Sequence, residues 1–172
     1  MADARSPDPS EQDEPDRSDG EFDLERFFPY RIRVFYSDVT RALSAVYQRD
    51  YGMMPAEWRV MAILGMKTQG LPATEIVSRS SMDKVVVSRA VKRLEEKGFL
   101  KRQTNAQDGR SFLLQLSTEG RAAYDDLAPK LRAVERRMLA GLSEEEIAGF
   151  LDITRRIRDN LADDDKGPDG LD

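Results

Sequence analysis

The sequence predicts a mainly α fold with one small β-hairpin. Three observations predict it. Apolar residues recur in steps of three and four over most of residues 22–161. Two short β-prone runs, 99–104 and 111–116, flank a polar Asn/Asp/Gly stretch. Helix punctuation recurs between the segments: Pro55, Gly98, Ser117, Gly141 and Ser143.

The first helix is expected from Phe22 to about Tyr51, with Phe28, Ile32, Phe35, Tyr36, Val39, Leu43, Val46 and Tyr47 on one face. The second opens at Pro55, a favourable first-turn residue, and runs to about Met66 with Trp58, Met61 and Leu64 inward. Gly70-Leu71-Pro72 breaks the chain, and a short third helix follows over Ala73 to Arg79. Residues 79–82 read as a tight turn. Ser81 and Asp83 are both candidate caps for a fourth helix that ends at Gly98. The hairpin loop is expected at 105–110. Ser117 caps a fifth helix, which Pro129 should bend. Ser143 and Glu146 make a capping box for the sixth, which places Ile147, Phe150, Leu151, Ile157 and Leu161 inward. The centre is thus a helix-turn-helix followed by a wing. The outer helices carry more apolar surface than that module needs, so a second copy of the chain is expected against them.

Composition narrows the function. The 172 residues contain no Cys and no His. That removes disulfides, zinc fingers, thiol redox sensing and Cys/His nucleophilic catalysis. No nucleophile–base pair, phosphate loop or metal-ligand cluster stands out, so no enzyme, cofactor or metal site is expected. The longest apolar run, Val60 to Met66, is too short to span a bilayer, and the acidic N-terminus is not a signal peptide. The chain therefore reads as soluble and cytoplasmic. Its net charge of −5 hides a sharp division. Residues 1–25 carry ten acids against two bases, whereas residues 84–110 carry eight bases against three acids. Residues 1–20 and 162–172 read as disordered acidic tails.

The basic segment suggests double-stranded DNA as partner. On the fourth helix Val87, Val91 and Leu94 share one face. Lys84, Val85, Ser88, Arg89 and Lys92 share the other. Arg89 is suited to a bidentate pair with guanine, Ser88 to several base edges and Val85 to a thymine methyl. Lys92 and Arg93 lie further along, where phosphates would be met. An ordinary solvated basic face accounts equally well for the charges. The Val85-Val86 pair favours a binding face, because a solvated one has no need of it. Arg110, at the end of the Asp108-Gly109 turn, is placed to enter the adjacent minor groove. Asp108 would support the loop.

These blocks together resemble the MarR family of bacterial regulators. The resemblance rests on Pro55-Ala56-Glu57-Trp58-Arg59-Val60-Met61, Met82 to Arg89, Leu94 to Phe99, Asp108 to Ser111, and Leu116-Ser117 with Gly120-Arg121. It covers roughly residues 22–161. It implies a winged helix-turn-helix lobe at about 55–116, and a homodimer built from helices at about 22–51 and 117–161. It also implies a palindromic operator, and base contacts from Lys84, Val85, Ser88 and Arg89 beside the wing arginine Arg110. Ser80 departs from the glycine that many such turns carry. The resemblance further implies a repressor released by a small aromatic acid or its CoA thioester. The ligand would sit where the dimer helices meet the lobe, near Arg31, Phe35, Trp58, Met61, Ala62 and Tyr124, with Arg31 and Arg33 available to an anion. Core packing is the plainer account of Trp58 and Met61, and solvated surface or an intersubunit salt bridge serves equally for the two arginines. A ligand-independent activator or architectural DNA-binding protein, and a winged-helix module for protein contacts, are the competing readings.

Overall fold

The computed structural model describes residues 22–164, apart from Thr68, Ala106 and Gln107. The side chains at 105, 108–111, 163 and 164 also lie outside the description. Among the described residues, six helices and a two-stranded antiparallel sheet follow in order: α1 Phe28–Tyr51, α2 Pro55–Gly65, α3 Ala73–Ser80, α4 Lys84–Glu96, β1 Leu100–Asn105, β2 Asp108–Leu116, α5 Thr118–Met138 and α6 Glu144–Asp164. The chain divides into two compact units, the first ending at Thr40 and the second beginning at Arg41.

Within the first unit, α1 starts six residues later than the sequence periodicity suggested. Asp23 instead closes a turn, its carboxylate accepting from the Glu25 and Arg26 amides. Pro29 lacks an amide hydrogen, so it fits the first turn of the helix that follows. Phe28, Ile32, Phe35 and Tyr36 are exposed.

The core lies in the second unit. Val46 and Tyr47 come from the end of α1, Val60, Met61 and Leu64 from α2, and Ile76 from α3. Val87, Val91 and Leu94 come from α4, Leu127 and Leu131 from α5, and Leu100, Leu114 and Leu116 from the hairpin. The α4 set returns every three or four residues and the hairpin leucines of β2 every second residue, as their elements require. The register pairs Leu100 with Leu116 and Lys101 with Gln115, and shifts between Thr104 and Asn105. The hairpin is longer than anticipated: four of the six residues assigned to its loop, Asp108, Gly109, Arg110 and Asn105, have strand backbone. Leu71 adds an isolated bridge, exchanging hydrogen bonds with Leu114 at 2.9 and 2.8 Å. The chain break before α3 is thereby tied to the middle of the wing.

α5 runs through Pro129 as one helix. Ser117 caps it, accepting from the Gly120 amide at 2.9 Å. The Ser143–Glu146 capping box forms at α6. The inward assignment on α6 fails within the single chain. Ile147 and Ile157 are half-buried, but Phe150, Leu151 and Leu161 are exposed. α6 also continues three residues past the expected boundary, to Asp164.

Candidate nucleic-acid interface

α3 and α4 are joined by a turn of unusual backbone. Ser80 is the buried last residue of α3. Its hydroxyl donates to the Val77 carbonyl and accepts from the Met82 amide. Ser81, not Ser80, takes the left-handed conformation that glycine would favour, with φ 54°. Asp83 resolves the choice of cap: its Oδ1 accepts from the Val86 amide at 2.8 Å. A carboxylate there also opposes the positive end of the helix dipole.

This turn leads directly into the basic face. Val87, Ala90, Val91 and Leu94 bury the inner side of α4, so the opposite side must face solvent. Lys84, Val85, Ser88, Arg89, Lys92 and Arg93 are all exposed, Val85 by 57%. Val86 is half-buried, so only one of the two valines is fully presented. Among the described residues, neither Lys84 nor Arg89 has a carboxylate partner. Lys92 has only Glu96 at 3.8 Å, an exposed pair of little strength. Arg93 leans the other way, with Nη1 3.6 Å from Oε1 of Glu57 on α2.

The wing is held against the same helix. Arg102 on β1 makes a two-pronged pair with Glu95, at 2.6 and 3.1 Å. The adjacent carboxylate raises the arginine's pKa further. A groove of about 620 Å³ runs between α3, α4 and the hairpin, lined by Lys84, Ser88 and Lys92 on one side and Val77 and Phe112 on others. Asp108 and Arg110 belong to the backbone of β2, but their side chains lie outside the described residues.

The residues assigned to a ligand are dispersed differently. Arg31, Arg33 and Phe35 belong to α1 in the first unit, where the Arg33 guanidinium sits 5.2 Å from the Tyr30 ring centre. In the second unit Trp58, Ala62 and Tyr124 line a cavity of about 300 Å³ together with Arg132, Glu135 and Met138. Met61 is fully buried on another side of α2 and does not line it. The indole of Trp58 is stacked with two rings, 6.2 Å from Tyr47 and 6.0 Å from Tyr124. The Arg121 guanidinium lies over the Tyr124 ring, 5.3 Å from its centre, and donates to the Gly65 carbonyl. Arg132 was absent from the sequence-based set. Its signal was there, since 124, 128, 132 and 135 lie on one face of a helix. Glu57 was also missed, because an acid in a first helical turn usually reads as an exposed dipole partner.

A helix-turn-helix whose second helix presents a basic outer face, with a hairpin pinned beside it, defines a winged-helix regulator of transcription. The comparisons agree. The model of the MarR family matches residues 51–111. The transcriptional repressor MdtR of Bacillus subtilis is 29% identical over 140 residues, covering 76% of this chain and 90% of that protein. A MarR-family regulator from Silicibacter pomeroyi is 29% identical, with a TM-score of 0.64 over 81% of this chain and 92% of its own. A MarR/EmrR-family regulator from Acinetobacter sp. ADP1 shares the fold at 22% identity, with a TM-score of 0.73 over 83% and 99% of the two chains. Over about three-quarters of its length this chain is similar to regulators of the MarR family. Its relatives regulate transcription and are not enzymes.

Proposed function

We propose that the chain is a cytoplasmic, homodimeric, sequence-specific repressor that binds a palindromic DNA operator and releases it on binding a small aromatic anion. The observation that carries the DNA reading is the outer face of α4, where Lys84, Val85, Ser88 and Arg89 stand exposed in one strip. In a major groove Arg89 would pair with guanine, Ser88 with a neighbouring edge and Val85 with a thymine methyl. Lys84 would meet a further base edge, Lys92 phosphates and Arg110 the minor groove. The MepR regulator of Staphylococcus aureus, of the same fold at 19% identity and a TM-score of 0.71, has been crystallised with DNA, which supports this use of the scaffold.

The dimer is favoured by α6, none of whose described residues is fully buried within the second unit. Phe150, Leu151, Ile153 and Leu161 would otherwise leave a long apolar surface in water. In this reading residues 55–116 form the reading head, 22–51 and 117–161 the dimerisation helices, and 1–20 and 162–172 acidic tails.

The effector reading rests on the cavity beside Trp58 and Tyr124. Trp58 and Tyr124 in its wall and the Arg132 guanidinium, with Glu135 beside it, suit a small aromatic carboxylate. About 300 Å³ is at the lower end of small-molecule sites, which favours a single-ring acid over a whole CoA thioester. Arg31 and Arg33, on α1 in the first unit, remain proposed separately as anion-binding side chains. The PcaV regulator of Streptomyces coelicolor, at 24% identity and a TM-score of 0.71, has been solved with its natural ligand.

Selection of duplexes from a random pool tests the first half. A winning sequence should outcompete random duplex by about a thousandfold, the low end for specific regulators, and equal binding of both would end the reading. Trp58, the single tryptophan, reports on the second half. Its fluorescence should change on titration with benzoate-type acids, at concentrations that also release the selected duplex. No response to either acids or CoA thioesters would remove the effector proposal.

A further inference from the structure

Glu57 takes no part in the readout described above, yet it gathers two of the cations at the far end of the recognition helix. Its side chain is 2% exposed. Lys97 Nζ lies 2.7 Å from Oε2 and also donates to the Gly52 carbonyl at 2.7 Å. Arg93 approaches Oε1 to 3.6 Å while more than half of its own side chain stays in solvent. Arg89 and Arg93 line a cavity of about 200 Å³ with Met54, Ala56 and Glu57, so this flank of α4 faces α2 as well as solvent.

A carboxylate removed from water needs a partner, because its desolvation is otherwise uncompensated. Lys97 supplies a close one. Arg93 is the second, and it stands next to Lys92 in sequence and one turn beyond Arg89. It is long and exposed enough to reach a phosphate were the carboxylate not drawing it back. We propose that Glu57 is a positioning residue that sets how many phosphates the recognition helix engages. It keeps Arg93 against the protein, withholding the phosphate contact that its place in the sequence led one to expect, and leaves backbone contact on this helix to Lys92. This rests on the DNA-binding reading of α4. The consequence is restraint of sequence-independent affinity, since that affinity grows with each phosphate neutralised.

The test is the salt dependence of binding to a random duplex, read by fluorescence anisotropy with the full chain. Wild type, Glu57→Gln, Arg93→Ala and the double variant are compared. Glu57→Gln should steepen the plot of log affinity against log salt by about 0.9 for each recognition helix engaged. Arg93→Ala alone should leave the wild-type slope unchanged, and in the Glu57→Gln background it should cancel the gain. Conversely, a slope made shallower by Arg93→Ala alone would show that Arg93 already holds a phosphate and would overturn the proposal. That arm alters only an exposed side chain, so it stands even if Glu57→Gln folds poorly. An unchanged slope in folded Glu57→Gln would overturn it too. A wild-type chain that binds no duplex would overturn the DNA-binding reading itself, and this inference with it.

Discussion

At the scale of single residues, the turn between α3 and α4 shows how much one dihedral angle controls. Ser81 occupies left-handed backbone, where a Cβ approaches the following carbonyl and costs roughly 1–2 kcal/mol. Ser81→Gly should therefore stabilise the chain by up to about 1 kcal/mol, part of the relief being lost to the entropy of the unfolded glycine. Ser81→Val should destabilise it by at least about 1 kcal/mol, because a β-branched side chain tolerates this region least. Urea unfolding midpoints of the two variants check both signs. The sequence hinted at a special turn, but it pointed one residue early, to Ser80. Ser80 instead spends its hydroxyl on the Val77 carbonyl and the Met82 amide. Propensity identifies that a turn exists. Which of two adjacent serines carries the positive φ depends on how α3 ends against its neighbours. The outer face of α4 was more legible, because an apolar repeat of 87, 91 and 94 fixes which residues must point away. Glu57 was not legible, since the partner of its buried carboxylate is Lys97, forty residues on. Replacing that partner by Lys97→Met leaves the carboxylate with only the distant Arg93. The expected loss is about 2 kcal/mol, below the ~3–5 of a fully buried pair because Lys97 is itself partly in water.

At the scale of elements, the wing is positioned by contacts that no local pattern announces. Leu71 pairs with Leu114 from beyond the helix-turn-helix. Arg102 grips Glu95 across from the hairpin to α4. The first turn of α5 packs so closely on the Phe99 carbonyl that a Cβ on Gly120 would collide with that backbone oxygen. Backbone cannot be repacked like a side chain, so Gly120→Ala should cost about 2–3 kcal/mol, the upper part of the overpacking range, visible as a lowered Tm. The periodicity of residues 99–116 disclosed the hairpin. The length of its loop was overestimated because Asn, Asp and Gly are read as turn formers, whereas here Asp108 already pairs with Asn105 and Gly109 has strand backbone. Similarly, the apolar stripe of α6 was read as inward, and within one chain Phe150, Leu151 and Leu161 face out. A stripe states that a helix has a partner surface without stating which molecule provides it. Phe150→Glu with Leu151→Glu should therefore leave the lobe folded by circular dichroism while halving the mass seen by light scattering. An unchanged mass would remove α6 from the proposed dimer interface.

For the molecule as a whole, the core of the second unit is clasped at one end by a charged cluster. Lys130 of α5 lies 2.9 Å from Asp50 and 2.7 Å from Asp126, and the Tyr51 hydroxyl donates to Asp126 at 3.0 Å. The bonds from Arg49 and then Lys130 hold the Asp50 carboxyl down to about 2. Lys130, then Tyr51, lower Asp126 as well. Folded values below the unfolded ones mean stability that is complete above the ordinary carboxylate value near 4 and lost as the pH falls toward 2. Denaturant midpoints should drop across that window, and Asp50→Asn should flatten the drop. An equally steep loss in the variant would remove Asp50 as a contributor.

The central claim is that the exposed side of α4 reads bases with Arg89 and phosphates with Lys92. It is tested most directly by measuring affinity for the selected duplex and for a scrambled one, for wild type, Arg89→Ala and Lys92→Ala at fixed salt. Arg89→Ala should weaken the selected duplex by about 10- to 100-fold, the worth of a bidentate base contact, while scarcely changing the scrambled one. Lys92→Ala should weaken both alike. If Arg89→Ala weakens both duplexes equally, or neither, α4 does not read sequence as described.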